Sequence, residues 1–272
     1  MPELPEVQTI ADGIEPYLLN KKIIKCNVYA DKLRWQLQKN LSKNLSGCKV
    51  LNVSRRAKYI IISGREFYLT IHLGMTGTLR IANKKDLKQK HDHFEIYLSS
   101  NLILRFNDPR KFGMIFFSKE SPITSNRLLS ELGVEPLEKK FNEEYLYSIS
   151  RSRNIAVKSL LMNAKIVVGI GNIYASEALF LSKIKPQKVS KKLTKENCKV
   201  LVTSIKKVLR KAIKKGGSSI NDYINVDGKK GYFQYDFKVY GRTNMPCHIC
   251  RSDILQIKIN QRSSFYCKKC QK

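Results

Sequence analysis

Acidic side chains are scarce in this sequence. Its 272 residues include 51 lysines and arginines but only 22 aspartates and glutamates, so the formal net charge is +29 at pH 7. This imbalance predicts a polyanionic partner, and nucleic acid is the default. The charge is unevenly placed. Residues 1–135 hold 22 basic and 13 acidic side chains (+9), whereas residues 136–272 hold 29 and 9 (+20).

Long apolar runs are also missing. No stretch approaches the roughly 18 apolar residues of a membrane-spanning helix, and no basic amphipathic helix with aromatic anchors predicts binding to a membrane surface. The N-terminus lacks a basic segment followed by an apolar one, so we expect no secretory signal and a reducing compartment. The hydrophobic content of 42% excludes a disordered chain, and the length allows two domains with real cores.

The first six residues, MPELPE, carry a candidate catalytic group. Removal of Met1, expected before a small residue, would leave Pro2 as an amine whose pKa of about 8 keeps a nucleophilic fraction at neutral pH. Such a secondary amine forms a permanently charged iminium with an aldehyde-level carbon, and Glu3 and Glu6 supply carboxylates for proton transfer. The alternative is that these residues only start a helix and favour its dipole.

The N-terminal half shows a helical pattern followed by a β-type pattern. Apolar residues recur with helical spacing at Val7, Ile10, Ile14 and Leu18. Short β-type runs separated by turn residues then extend from about Ile23 to Phe117. This succession favours a β-sandwich over a parallel sheet.

Three loop-like stretches between these runs have an unusual composition. They are RRAK at 55–58, HLGMTG at 72–77 and DPRKFG at 108–113. Glycine or proline near Met75 and Phe112 places both residues at turns, where core side chains are less expected. A place in the hydrophobic core remains the alternative for each of them.

The pattern changes in the C-terminal half. The polar passage 131–144, which contains Pro136, is predicted as an interdomain linker. Helices are predicted over 155–162, 173–181 and 194–215. Asn172 is expected to be the N-cap of the second helix.

Two stretches of this half are candidate ligand contacts. The glycine turn at 169–171 would expose backbone N–H groups that could bind a phosphate, although an ordinary capped turn explains it equally well. Residues 227–241 are rich in Gly, Lys and Tyr, have no clear period and are predicted as a functional loop.

Two cysteine pairs lie near the C-terminus. Cys247-x-x-Cys250 and Cys267-x-x-Cys270 are separated by 16 residues that include two strand-like pieces. This spacing is typical of a structural four-cysteine zinc site on a β-hairpin. Disulfides are the alternative, which a reducing compartment disfavours. The remaining cysteines are expected to be buried, small apolar residues: Cys26, Cys48 and Cys198.

These segments together resemble one family over essentially the whole chain. The motifs are PELPEV at 2–7, RRAKY at 55–59, HLGM at 72–75, HDH at 91–93, DPRKFG at 108–113, GIGNIYASE at 169–177 and QRSSFYC at 261–267. In this order they resemble the bacterial formamidopyrimidine-DNA glycosylases. These base-excision repair enzymes remove 8-oxoguanine and ring-opened purines and then nick the strand by β,δ-elimination.

The resemblance implies an α+β fold. Its parts would be an N-terminal β-sandwich catalytic domain with an N-terminal helix (1–134), a linker (135–150), a helical helix–two-turn–helix DNA-binding domain with a lesion-capping loop (151–235) and a β-hairpin zinc finger with four cysteine ligands (236–272). One structural Zn²⁺ is implied at Cys247, Cys250, Cys267 and Cys270. The implied protein is a monomer that binds double-stranded DNA with oxidised bases or abasic sites, without membrane contact, in the bacterial cytoplasm at the nucleoid.

The same resemblance implies four catalytic residues. Pro2 would displace the damaged base at the sugar C1′ and form a Schiff base, and Glu3 would protonate the opening sugar. Glu6 would help to hold the N-terminal region. Lys58 would donate a proton in β-elimination or anchor a phosphate, and Arg262 would serve δ-elimination and phosphate contact. Because the iminium acidifies the neighbouring sugar carbon, such a glycosylase is expected to be a lyase as well.

The implied DNA contacts explain the unusual loops. Met75, Arg110 and Phe112 resemble the trio that fills the gap when the damaged nucleotide is flipped out, since chemistry on a stacked base requires its extrusion. Further contacts are implied at His91, Arg110, Arg153, Lys158 and Asn172.

The departures from the family pattern are small. Gln8 stands where a glutamate is usual, with little expected effect, and Lys111 replaces a frequent second arginine while keeping its charge. Leu4, where the endonuclease VIII group tends to have glycine, and a complete loop at 228–235 favour the purine-lesion branch. Two alternatives remain: an endonuclease VIII-like preference for oxidised pyrimidines, and a catalytically silent zinc-finger protein that binds damaged DNA.

Overall fold

The structure, a computed structural model, describes residues 1–218 and 236–272. The chain divides into two compact units, the first formed by Met1–Ser130 with Lys215–Tyr232 and the second by Glu131–Lys214 with Phe233–Lys272. The loop predicted at 228–235 lies outside the described residues. The domain limits given above stay predictions.

The first unit contains one long helix and two antiparallel four-stranded sheets. Its elements are α1 (Leu4–Leu18), β1 (Ile23–Val28), α2 (Leu41–Leu45), β2 (Asn52–Arg56), β3 (Tyr59–Ser63), β4 (Tyr68–His72), β5 (Thr78–Asn83), β6 (Asp92–Leu98), β7 (Leu102–Asn107), β8 (Met114–Ser118), α3 (Pro122–Ser125) and α4 (Arg127–Ser130). The sheets have the strand orders β1-β6-β7-β5 and β2-β3-β4-β8. The predicted N-terminal helix and β-sandwich are therefore confirmed.

Both sheets and α1 share one hydrophobic core. Ile10 and Ile14 of α1 are completely buried, as are Ile62 of β3 and Phe94 of β6. Complete burial of such side chains contributes about 1.5–3 kcal/mol each. The apolar face of α1 is therefore anchored to the sheets, and this holds the N-terminal residues in one position.

The second unit contains four α-helices, a short 3-10 helix (Ser190–Lys192) and a β-hairpin among its described residues. The α-helices and strands are α5 (Glu143–Arg151), α6 (Val157–Leu161), α7 (Asn172–Leu181), α8 (Lys195–Lys214), β9 (Ile254–Ile259) and β10 (Arg262–Cys267). The helices pack around buried residues such as Leu160, Tyr174, Leu201 and Ile205. Asn260 and Gln261 join β9 to β10 and both have positive φ (47° and 59°), as in the tight I′ turns that suit the twist of a hairpin.

Helix α5 overlaps residues 135–150; Asn142 caps it by accepting a hydrogen bond from the Tyr145 N–H (2.9 Å), and Leu146 is buried. One local expectation for this unit is corrected. The N-cap of α7 is Gly171 in extended conformation, so Asn172 is the first helical residue. The turn before α7 uses Gly169 at φ +79°, and this conformation brings the chain into the helix without a side-chain cap.

Candidate active site

Residues 2–7, which follow the exposed Met1, are buried in the first unit. Pro2 is buried, and Glu3 and Glu6 are only 3% and 2% exposed. The Glu3 N–H donates to Glu6 Oε2 (2.9 Å), while Glu6 Oε1 accepts hydrogen bonds from the Ser218 N–H (2.8 Å) and hydroxyl (2.9 Å). Glu6 therefore ties the start of α1 to the chain at Ser218, and Glu3 is held beside Pro2.

Four charged residues from the predicted motifs act on the amino group of Met1. Burial lowers the pKa of the amino group on Met1, an effect that Glu3 and Glu6 oppose and that Lys58 and Arg110 reinforce. A lower pKa increases the unprotonated, nucleophilic fraction at neutral pH. The structure thus brings together four charged residues that the sequence placed in three separate motifs.

Lys58 lies in the tight turn between β2 and β3. The turn is made by Ala57, with φ +54°, and Lys58, because Arg56 pairs directly with Tyr59. Arg55 fixes this turn: its Nη1 donates to the Ala57 carbonyl and its Nε donates to Gln8 Oε1, both at 2.8 Å. The Gln8 departure therefore keeps an acceptor for Arg55, and α1 is connected directly to the turn that carries Lys58.

Met75 and Phe112 are not core residues, since each is 42% exposed. Their loops are in contact, because a Cβ added to Gly74 (φ +63°) would lie 2.4 Å from the Phe112 carbonyl carbon. Only glycine suits both this conformation and this close approach. The Arg110 guanidinium lies 4.8 Å from the centre of the Phe112 ring, a distance that allows a cation–π interaction. The predicted trio is therefore exposed and assembled in one place.

His72, which precedes this turn, supports it. Its Nδ1 accepts a hydrogen bond from the Gly74 N–H (3.0 Å), and its ring lies 4.8 Å from that of Tyr59. Burial lowers the pKa of His72 to about 4, with further lowering from the positive charges of Lys58 and Arg34. His72 is therefore neutral at physiological pH and serves as an acceptor for the turn that presents Met75.

His91 lies where β6 begins. Its carbonyl oxygen accepts a hydrogen bond from the Asp108 N–H (3.0 Å), and its ring is 6.3 Å from that of His93. Just beside it, Asp92 is paired with Arg80 and also accepts from Asn107 (2.9 Å). The segment that carries His91 is thus attached to the DPRKFG loop by backbone and to the sheet by Asp92.

The second unit holds the other predicted contacts. The Arg153 side chain bonds the Ile149 carbonyl (2.8 Å), and Arg262 is exposed at the start of β10. Lys158 is only 1% exposed, and its Nζ donates to the Ser263 carbonyl (2.9 Å) and the Ser264 hydroxyl (2.8 Å). Lys158 therefore holds β10 against α6.

Asn172 presents an amide oxygen at the start of α7. Among the described residues, its buried Oδ1 has no hydrogen-bond partner. A buried polar atom without a partner is rare in folded proteins. Such an atom is expected where a ligand supplies the missing hydrogen bond.

The four predicted ligand cysteines form a metal site. All four sulfur atoms lie within 4.8 Å of one another, with Sγ–Sγ distances of 3.8 Å for Cys247 and Cys270 and 3.4 Å for Cys250 and Cys267. A tetrahedral ion with Zn–S bonds of about 2.3 Å requires sulfurs about 3.8 Å apart. The donor set fits one structural Zn²⁺.

The other cysteines follow the prediction in part. Cys26 and Cys198 are buried, as expected. Cys48 is only half-buried, because its thiol faces the chain at the end of α2, where Sγ is 3.3 Å from the Asn44 carbonyl oxygen.

Sequence reasoning missed three residues that position the predicted ones. In the sequence Arg55 is part of a basic stretch, Ser218 belongs to no motif, and Asp108 is the first residue of the DPRKFG motif. Each acts through a hydrogen bond to a residue that is remote in sequence. The one signal in the sequence is an aspartate, Asp108, at the start of a motif that ends in a turn glycine, Gly113.

Family models match most of the chain. Residues 1–115 match the formamidopyrimidine-DNA glycosylase N-terminal domain, residues 132–223 the formamidopyrimidine-DNA glycosylase H2TH domain, and residues 246–272 the zinc finger found in FPG and IleRS. Two similar full-length relatives are the formamidopyrimidine-DNA glycosylases of Ruthia magnifica subsp. Calyptogena magnifica, 44% identical over 100% of both chains, and of Aliivibrio fischeri, 46% identical over 100% of this chain and 98% of the relative.

Solved structures agree with the family models. A Lactococcus lactis FPG mutant in complex with Fapy-dG-containing DNA has a TM-score of 0.92, 34% identity and 99% coverage of both chains. The wild-type Lactococcus lactis enzyme in complex with DNA containing an oxidised pyrimidine has a TM-score of 0.90, 33% identity and the same coverage. In the described part of the present chain, no helix is both long and apolar enough to cross a membrane.

Proposed function

Because this chain belongs to the formamidopyrimidine-DNA glycosylase family, we propose that its buried N-terminal residues perform the family reaction with Pro2 as the nucleophile. The protein is a base-excision repair DNA glycosylase and AP lyase that acts on oxidised purines in double-stranded DNA. The observation that carries the residue assignment is the burial of Pro2 and Glu3 at the start of α1, with the Glu3 N–H bonded to Glu6.

The first step removes the base. Once Met1 is removed, the nitrogen lone pair of Pro2 attacks C1′, the C1′–N9 bond breaks, and its electrons leave with the base. The Pro2 nitrogen then loses its own proton, and the departing base takes up one proton. The C1′–O4′ bond then opens, Glu3 protonates O4′, and an iminium joins Pro2 to C1′. The burial of Glu3 and its N–H bond to Glu6 keep this acid in a single position.

The second step cuts the strand. The iminium acidifies the C2′ proton, and its loss expels the 3′ phosphate by breaking the C3′–O3′ bond; a second elimination releases the 5′ phosphate. We assign Lys58 to proton donation or phosphate anchoring in the first elimination and Arg262 to phosphate contact in the second. Both side chains are at tight hairpin turns, so their backbones are well defined.

The remaining assignments concern DNA binding. Met75, Arg110 and Phe112 fill the gap left by the extruded nucleotide. The exposure of all three residues and the contact of Arg110 with the Phe112 ring suit them for this role. His91, Arg153 and Asn172 contact the DNA backbone. Lys158, buried under β10, contributes its positive charge to the phosphate site through the strand that carries Arg262.

Borohydride trapping tests the catalytic assignments. The protein is incubated with duplexes containing 8-oxoguanine opposite cytosine, dihydrouracil, an abasic site or no lesion, and the adduct is mapped by peptide mass spectrometry. We expect an adduct at Pro2 that is favoured by 8-oxoguanine over dihydrouracil, and almost none with Pro2→Gly. An adduct only with dihydrouracil would indicate the pyrimidine branch. If a protein that begins at Pro2 forms no adduct with any duplex, the chain would instead be a catalytically silent protein that binds damaged DNA.

A matched pair of variants on α1 separates catalysis from general charge effects. Glu3→Gln removes the proposed acid, whereas Glu15→Gln removes the same charge from the last turn of the helix. Glu3→Gln is expected to lower 8-oxoguanine excision at least about a hundredfold, the usual contribution of a general acid, and Glu15→Gln to retain it. Equal effects of the two variants would reject the role of Glu3.

Two further assignments concern the enzyme in the cell. We propose that it works as a monomer on chromosomal DNA, in the bacterial cytoplasm and in association with the nucleoid. Light scattering during gel filtration should give a mass near 31.4 kDa. A fluorescent fusion should coincide with a DNA stain; a uniform distribution that ignores the stain would reject nucleoid association.

A further inference from the structure

Asp108 is a completely buried carboxyl group between two exposed loops of the first unit. It follows the last residue of β7. Its Oδ1 accepts a hydrogen bond from the Thr76 hydroxyl (2.6 Å), and its Oδ2 accepts one from the Gly113 N–H (2.7 Å). Thr76 follows Met75 and Gly113 follows Phe112 in the sequence, so one side chain connects the two loops that carry these exposed residues.

The backbone of Asp108 makes further connections. Its N–H donates to the His91 carbonyl (3.0 Å), and its carbonyl oxygen lies 3.0 Å from His93 Nε2 and accepts from the Lys111 N–H (3.2 Å). The positive φ of Lys111 (55°) turns the chain back so that Gly113 can reach the carboxyl group. Asp108 therefore connects the segments of His91, Met75 and Phe112 at one buried point.

The arrangement leaves the tips of the loops free while their bases are fixed. Met75 and Phe112 are each 42% exposed, whereas Gly74, Gly113 and Asp108 are buried. Each carboxyl oxygen accepts from a different loop, so both hydrogen bonds are needed to hold the two loops together. Removing one acceptor would leave a buried donor unpaired and separate the two loops.

We propose that Asp108 is a positioning residue for base extrusion, because it holds Met75 and Phe112 at the spacing at which they enter the DNA gap together. Asp108 does not contact the reacting atoms in this role. The inference rests on the proposed function and adds to it a specific residue pair, Asp108 and Thr76. It predicts a defect in extrusion with little defect in the chemistry of the Pro2 amine.

The test separates extrusion from chemistry by using two substrates. Excision of 8-oxoguanine under single-turnover conditions requires extrusion, whereas borohydride trapping on a preformed abasic site requires it much less. A duplex with 2-aminopurine opposite the lesion reports gap filling directly. The fluorescence of this base changes when its stacking on the neighbouring bases is disturbed. Asp108→Asn, which keeps the side-chain shape, is expected to slow excision about tenfold and to reduce the fluorescence change, with trapping altered less than about twofold.

Thr76→Val removes one of the two hydrogen bonds without changing the carboxyl group, and it is expected to slow excision about threefold to fivefold. The double variant with Asp108→Asn should excise as fast as Asp108→Asn alone, because both substitutions act through the hydrogen bond between Thr76 and Asp108. Thr70→Val is the matched control, because the buried Thr70 hydroxyl has no hydrogen-bond partner among the described residues. This control should retain full excision.

Three results would decide against the proposal. One is an Asp108→Asn protein that folds, as judged by its melting temperature, and shows unchanged excision and fluorescence. Another is an equal loss of excision and abasic-site trapping, which would assign Asp108 to the catalytic centre itself or to general stability. If Asp108→Asn fails to fold, Thr76→Val decides alone, and wild-type excision by it refutes the proposal. Absence of trapping by the unsubstituted protein would instead reject the proposed function.

Discussion

Lowering the pH from 7 to 5 is expected to destabilise the first unit through His72. Burial lowers the pKa of this histidine from 6.5 to about 4, and Lys58 and Arg34 act in the same direction. The unfolded chain therefore binds a proton at His72 more readily than the folded protein does. The stability contributed by the neutral imidazole is complete above pH 6.5 and is lost as the pH falls towards 4.

The size of this effect follows from the two pKa values. A fall from 6.5 to about 4 corresponds in full to ~3 kcal/mol of unfolding free energy, and ~2 kcal/mol of it is lost between pH 7 and pH 5. Protonation also converts Nδ1 from an acceptor into a donor, so the hydrogen bond from the Gly74 N–H is lost. The turn that presents Met75 is therefore expected to loosen in acid.

Urea unfolding at pH 7, 6 and 5 measures the effect. Trp35, the single tryptophan, belongs to the first unit and reports on it by fluorescence. His72→Asn is the comparison, since its Oδ1 can accept the Gly74 N–H but does not titrate. The unsubstituted protein should lose ~2 kcal/mol more than the variant between pH 7 and 5. Equal losses in the two proteins would refute the assignment of a neutral His72 in the folded protein.

Three further predictions concern the metal, a buried anchor and a family departure. Cys267→Ser should lose bound zinc by atomic emission and DNA affinity by fluorescence anisotropy, whereas Cys48→Ser should retain both; full DNA binding by a zinc-free protein would contradict the link. Glu177→Gln should lower the unfolding free energy of the second unit by about 1–3 kcal/mol, because its two oxygens accept three backbone N–H groups at 238–240; an unchanged thermal unfolding curve would show that the amide suffices. Gln8→Glu should leave excision within about twofold, because Arg55 keeps an acceptor and a part-exposed ion pair adds little; a larger change in the single-turnover rate would show that the charge at position 8 matters.

Features that depend on residues close together in the sequence were predictable. The zinc ligands follow from two Cys-x-x-Cys pairs whose spacing fits a hairpin, and the N-terminal chemistry follows from residues within six positions of one another. The strands of the sandwich also follow, because alternation and turn residues are local properties. The error at the start of α7 was local too, because Gly171 occupies the cap position expected for Asn172.

The sequence by itself determined the chemistry that is available: an amine at Pro2, carboxylates at Glu3 and Glu6, four thiols and a strongly basic surface. The tertiary structure decided which of these groups meet and what holds them. Asp108 contacts Thr76 across 32 positions, Lys158 contacts Ser263 across 105, and Glu6 contacts Ser218 across 212. No local pattern encodes such pairs, because they form only when core burial brings distant segments together and leaves buried donors and acceptors to be satisfied.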